Sequence, residues 1–134
     1  MSLFITCPVR SVERATAFYS ALGWTLDPAM SGPETSCFEI GPDQHVMLGS
    51  REMYAEVGGV EELVGGPDTP SKVMVSFDLR SREAVDGLVA RAAAAGGRIG
   101  DTDDHPFMYQ RQFDDVDGYH YSPFWMKPVA DPAG

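Results

Sequence analysis

Val73-Met74-Val75-Ser76-Phe77-Asp78-Leu79-Arg80-Ser81-Arg82-Glu83-Ala84-Val85 repeats, without a gap, the chain's opening stretch Leu3-Phe4-Ile5-Thr6-Cys7-Pro8-Val9-Arg10-Ser11-Val12-Glu13-Arg14-Ala15. Arg10/Arg80, Ser11/Ser81 and Glu13/Glu83 are identical at one offset of 70 residues, and Leu3/Val73, Val9/Leu79, Ala15/Val85 and Phe18/Leu88 stay apolar in step. A unit that recurs at a fixed spacing is the mark of a duplicated module. Each copy opens on a strand, Leu3 to Val9 and Val73 to Leu79, followed by a serine that can accept from the first free backbone N–H groups of a helix. Val12, Ala15, Phe18 and Leu22 form an apolar stripe at helical spacing in the first copy, and Val85, Leu88, Val89 and Ala92 do so in the second. Gly23 and Gly96-Gly97 stand where the helices should stop.

Working outward, the first helix precedes three short strand candidates, Trp24 to Leu26, Ser36 to Ile40 and His45 to Leu48, divided by Asp27-Pro28 and Gly41-Pro42-Asp43. The second precedes Arg98 to Gly100, Met108 to Phe113 and Tyr119 to Met126, with Asp115-Val116-Asp117-Gly118 as the last turn. Asp101, Asp103 and Asp104 lack the spacing of a calcium loop and read as a solvated acidic turn. Pro123 falls in what should be an interior strand, where its missing N–H predicts a bulge or an early strand end. The expected architecture is α+β: tandem βαβββ modules forming two curved mixed sheets around a shared cleft, with helices outside. Module one covers about residues 3–50 and module two about 72–127, within one domain of residues 1–134. Between them lies a connector at about 51–71, where Glu52 to Val57 and Val60 to Val64 could each form a helical turn, and residues 128–134 read as a frayed tail.

A chain of 134 residues that is 43% hydrophobic can bury one core but not two, so the modules should share an interior. The formal charge of −10, with the ten Lys and Arg scattered along the chain, argues against nucleic acid and anionic membranes as partners. Cys7 and Cys37, each within strand-like residues, read as buried free thiols compatible with a reducing compartment. No segment is apolar for long enough to span a membrane, and the N-terminus lacks a signal pattern. The expectation is a cytoplasmic protein whose partner is a small molecule or another protein.

The paired modules, the Ser11-x-Glu13-Arg14-Ala15-x-x-Phe18-Tyr19 segment and the Asp115-x-Asp117-Gly118 turn together resemble the glyoxalase, bleomycin-resistance and extradiol dioxygenase superfamily, the vicinal oxygen chelate fold. Phe107 to Phe113 leading into that turn is similar to a bacterial glyoxalase-like subgroup. The resemblance implies two sheets wrapped round a cleft and, in metal-dependent members, a divalent cation held by His, Gln or Glu from the first and fourth strands of each module. It also implies a homodimer. Carried over, the four ligand positions are Phe4, Met47, Met74 and Ser122, none of which suits a hard cation. Metal-dependent catalysis is thereby disfavoured, no cofactor is expected, and whether the protein is an enzyme stays open.

By strand alternation the emptied cleft is lined by Phe4, Thr6, Met47, Met74, Ser76, Ser122 and Phe124, an apolar surface with a few hydroxyls. His45 and His120 join them on the same faces. These residues either receive a small, partly apolar molecule or pack on one another and close the cleft. His105-Pro106-Phe107-Met108-Tyr109 is either a loop covering a guest, with Tyr109 or His105 as a donor, or a turn whose Phe107 and Met108 plug the core, and the second reading is favoured. Arg111 reads as an ion-pair partner, and Trp24 and Trp125 as core. The leading reading is a metal-free binding protein. The alternative is a glyoxalase-like lyase or dioxygenase with zinc, manganese, nickel or iron at a relocated site near His45 and His120, and a protein-interaction module is the third class.

Overall fold

The computed structural model describes residues 1–56, 71 and 73–128. Module one runs β1 (Leu3–Pro8), α1 (Val12–Ala21), β2 (Thr25–Leu26), a single 3₁₀ turn (Pro28–Met30), β3 (Thr35–Gly41) and β4 (Gln44–Gly49). A short helix α2 (Arg51–Glu56) follows. Module two runs β5 (Met74–Asp78), α3 (Arg82–Ala94), β6 (Arg98–Asp104), β7 (Met108–Asp114) and β8 (His120–Met126). The sequence-expected helical turn at Val60 to Val64 and most of the tail lie outside the described residues.

Both modules make the same sheet. Strand order is β1-β4-β3-β2 in the first and β5-β8-β7-β6 in the second, with the first strand parallel to the last and the others antiparallel. β1 and β5 are therefore edge strands. Ser11 and Ser81 cap the two long helices as expected, accepting from Arg14 N at 3.1 Å and Ala84 N at 3.0 Å. Gly23 and Gly96 take φ of +90° and +100°, the left-handed geometry in which a chain leaves a helix at least cost to glycine.

Two details differ from the sequence reading. β6 continues through the acidic stretch to Asp104, with a register shift between Ile99 and Thr102, because pairing along β7 outweighs the poor strand propensity of aspartate. β8 continues through Pro123 without a bulge: Gln110↔Phe124 and Phe113↔Tyr121 keep one register on either side of it. The carbonyl of Phe124 accepts from Leu79 N, beyond the end of β5, so the adjacent residue Pro123 turns its missing donor toward β7. Neither Pro123 nor Ser122 pairs with β7, and the ladder resumes in the same register after this two-residue gap.

The core is shared between modules. Phe38, Val46 and Leu48 of sheet one and Phe113 and Tyr121 of sheet two join Ala15, Phe18, Tyr19, Leu22, Leu88, Val89 and Ala92 of the helices in one buried cluster. Trp24 packs against Tyr19, Phe77 and Tyr121, in keeping with its reading as core. The turn Asp115–Gly118 ties the halves with polar bonds. Asp115 is buried and accepts from Tyr19 Oη at 2.5 Å, Asp117 N at 2.9 Å and Tyr119 N at 2.8 Å. Arg10 bonds Asp117 Oδ1 at 3.2 Å and the Val116 carbonyl at 2.9 Å. Tyr119 Oη donates to the Pro8 carbonyl at 2.5 Å.

Burial pushes the Asp115 carboxyl up to about 6, despite the donors that oppose the rise. A carboxyl whose folded value lies above its unfolded one favours the folded state when protonated, and that contribution is lost as pH rises from about 4 through about 6. Asp115→Asn should therefore flatten this limb, so the melting-temperature difference between wild type and variant moves against the wild type as pH rises through that window. Asp115→Ala, which strands three donors, should cost about 2–4 kcal/mol in denaturant unfolding. A cost below about 0.5 kcal/mol, the range of a neutral surface change, would remove this turn from the account.

Candidate functional site

Each sheet packs one face against the long helices α1 and α3 and turns the other away from them, with Met53 of α2 reaching over Gly49 at the end of β4 on that outer face of sheet one. In β1 and β4, Ile5, Val46 and Leu48 pack in the core, so Phe4, Thr6, His45 and Met47 lie on the other face, as alternation requires. In β5 and β8, Val75, Phe77 and Tyr121 pack in the core, which puts Met74, Ser76, His120, Ser122 and Phe124 on the helix-free face of sheet two. The register sets these residues in rows. Phe4 stands beside His45 and Thr6 beside Met47, while Met74 stands beside His120 and Ser76 beside Ser122.

The two faces differ in chemistry. On sheet one the Phe4 ring stacks on His45 with centroids 4.5 Å apart and planes 11° from parallel. His45 Nδ1 is buried without a partner among the described residues. On sheet two His120 Nδ1 lies 2.6 Å from Asp114 Oδ1, and Ser122 Oγ accepts from Gln110 Nε2 at 2.5 Å. Ser122 is fully buried, so the Gln110 amide covers the position where the resemblance puts a metal ligand. Phe4 and Met74, the first-strand ligand positions, are 40% and 51% exposed and present apolar surface.

Among the described residues no hydrogen bond or ring contact joins the candidate residues of sheet one to those of sheet two, and no three His, Cys, Asp or Glu side chains gather as metal ligands. His45 and His120 thus stand on different sheets, each with its own neighbours. Two recesses lie elsewhere, one of about 340 Å³ beside Arg14, Gly97 and Arg98 and one of about 280 Å³ beside Leu22, Gly23 and Arg91. Cys7 and Cys37 are free and buried.

Two expected site residues sit elsewhere. Tyr109 is on the core side of β7: its Oη donates to Asp86 Oδ1 of α3 at 2.6 Å, and the Arg82 guanidinium lies 4.2 Å over its ring. Phe107 does not plug the core. It is 59% exposed at the β6–β7 hairpin and stacks on His105, because the two-residue bend at Pro106-Phe107 lifts it out of the sheet. Arg111 pairs with Asp86 at 3.1 Å, as read from sequence. The sequence reading missed Asp114, Gln110 and Glu39, which alternation and the offset of 75 residues between His45 and His120 could have found: Glu39 faces His45 and Asp114 faces His120 across the ladders at that same offset. Tyr109→Phe should cost about 1 kcal/mol of stability through the lost bond to Asp86 and leave chemical shifts of Met74 and His120 unchanged. Shifts at those two residues would return Tyr109 to the site.

Residues 2–41, which span β1 to β3, match the family model of the bleomycin resistance protein-like N-terminal region. No curated protein matches the sequence. Solved structures match in fold along nearly the whole chain. A glyoxalase/bleomycin resistance protein/dioxygenase family enzyme from Burkholderia phytofirmans is 20% identical with a TM-score of 0.78, over 92% of this chain and 97% of its own. A hypothetical protein from S. aureus is 24% identical with a TM-score of 0.74, over 93% of each chain. A glyoxalase/bleomycin resistance protein/dioxygenase from Nocardioides is 25% identical with a TM-score of 0.68, over 98% of this chain and 85% of its own. The chain thus has, along nearly its whole length, the fold of glyoxalase/bleomycin resistance protein/dioxygenase structures, and its residues 2–41 match the bleomycin resistance protein-like N-terminal region.

Proposed function

We propose that the protein binds a small, partly apolar molecule between the helix-free faces of its two kinds of module, without the superfamily's metal site. The observation that carries this is the chemistry of those faces. Phe4 and Met74, at the positions where the resemblance puts first-strand metal ligands, offer exposed apolar surface beside the Thr6 and Ser76 hydroxyls. Methionine side chains adapt to irregular guests, which suits Met47 and Met74 as walls. The buried free thiols fit residence in the cytoplasm.

A homodimer completes the cleft in this reading. One edge of each sheet carries apolar surface, with Leu3 at the start of β1 51% exposed and Val73 just before β5 65% exposed. Exposed apolar edges are a liability unless covered. A second copy that sets its β5 beside β1 would cover them and bring the Phe4 face of one chain to the Met74 face of the other. Light scattering should report the mass of two chains, and Leu3→Lys with Val73→Lys should shift it to one. A wild type that stays monomeric at every concentration contradicts the shared cleft. Protein purified without tag or chelator should carry less than stoichiometric zinc, manganese, nickel or iron. A full equivalent that is lost in His45→Ala or His120→Ala would favour the relocated metal enzyme instead.

A further inference from the structure

We infer that His120, held by Asp114, is a metal-independent general base acting on planar carbon acids bound at the helix-free face of sheet two. The inference rests on that face being the binding surface. His120 and Asp114 face each other across β8 and β7, two interior strands of the sheet, so their separation of 2.6 Å is fixed by the backbone ladder and not by a loop. The carboxylate accepts the Nδ1 proton and leaves the Nε2 lone pair without a partner among the described residues. The two side chains are 28% and 27% exposed, sheltered and still reachable. An oriented imidazole with a free nitrogen is the arrangement that proton transfer needs.

The surroundings select the substrate. Across the ladders His120 has Met74 on one side and Asp114 on the other, with Arg98 one strand beyond Asp114. Among the described residues no hydrogen bond or ion pair reaches Nε2, and a substrate that spreads its negative charge over its own π-system needs none. A planar 1,3-dicarbonyl meets that condition and matches the apolar surface of Met74 and Phe124. His120 Nε2 takes the proton from the carbon between the carbonyls, and the C–H electron pair passes into the enolate and its oxygens. The imidazolium then returns the same proton to an oxygen, giving the enol and restoring neutral His120. Nothing is oxidised or reduced and no co-reactant is consumed.

The test uses benzoylacetone as probe, with its keto–enol exchange followed by ultraviolet absorbance and by deuterium uptake, on the full chain dialysed against chelator. Binding is followed in parallel by chemical shifts at Met74 and His120. The expected result is accelerated exchange that falls about 100-fold or more in His120→Ala, the usual range for losing a general base, and is partly restored by added imidazole. Asp114→Asn should reduce exchange and move His120 from the Nδ1–H toward the Nε2–H tautomer in its ring-nitrogen spectrum, a change that mere loss of packing would not give. Circular dichroism confirms that the variants fold, and imidazole rescue separates lost chemistry from lost structure. Binding without His120-dependent exchange overturns this inference and leaves the binding reading standing. Neither binding nor exchange overturns both, and exchange that needs added metal overturns the general base.

Discussion

The buried carboxylate of Asp115 decides how the two modules sit together. It gathers the Tyr19 hydroxyl from α1 and two backbone N–H groups from its own turn, and Tyr19 in turn bonds Tyr121 of β8 at 2.6 Å. A carboxylate taken out of water is costly unless its lone pairs are filled, so this contact fixes geometry as well as joining it. With α1 pinned to β8, the helix-packed faces of both sheets turn toward one core. The other faces are left to the surface. Arg10 and Tyr119 add a second tie, from the start of module one to the end of module two.

Duplication then sets what those free faces can do. Identical sheet order places Phe4 and Met74, and His45 and His120, at matching points on two surfaces of one architecture. The copies have diverged in use. In module one the histidine stacks on an aromatic ring and its facing Glu39 makes no bond to it, while in module two it is held by Asp114. One face presents a ring stacked on its histidine and the other a histidine held by a carboxylate. A pairing of unlike modules would place these capacities on opposite walls of one cleft.

Much of the fold was legible because it rests on local signals. Ser11 and Ser81 mark the helix starts, the apolar stripes mark the buried faces, and the offset of 70 residues marks the repeat. Alternation placed Phe4, Thr6, His45, Met47, Met74, Ser76, His120, Ser122 and Phe124 on the strand faces opposite the core, because every second residue of a strand shares a face. What failed depends on the third dimension. Tyr109 goes to the core side because α3 offers it Asp86, and a helix packed on that strand has no local signature. The bulge expected at Pro123 is absent because a short gap in the β7 ladder costs less than disturbing a strand paired on both sides. Ser122 is covered by Gln110 through a diagonal side-chain bond, since the ladder sets Gln110 opposite Phe124, and sequence spacing does not supply such a contact. How the two faces meet is likewise a property of packing.

In the proposed assembly the cleft is completed between chains, from unlike modules, without a cation. Isotope-filtered nuclear Overhauser spectroscopy on a mixture of labelled and unlabelled protein tests it most directly. Contacts between Phe4 of one copy and Met74 or His120 of another are the expected result. A spectrum with no such contacts between copies, or one in which a tightly held metal broadens Phe4, Met47, Met74 and Ser122 together, would contradict it.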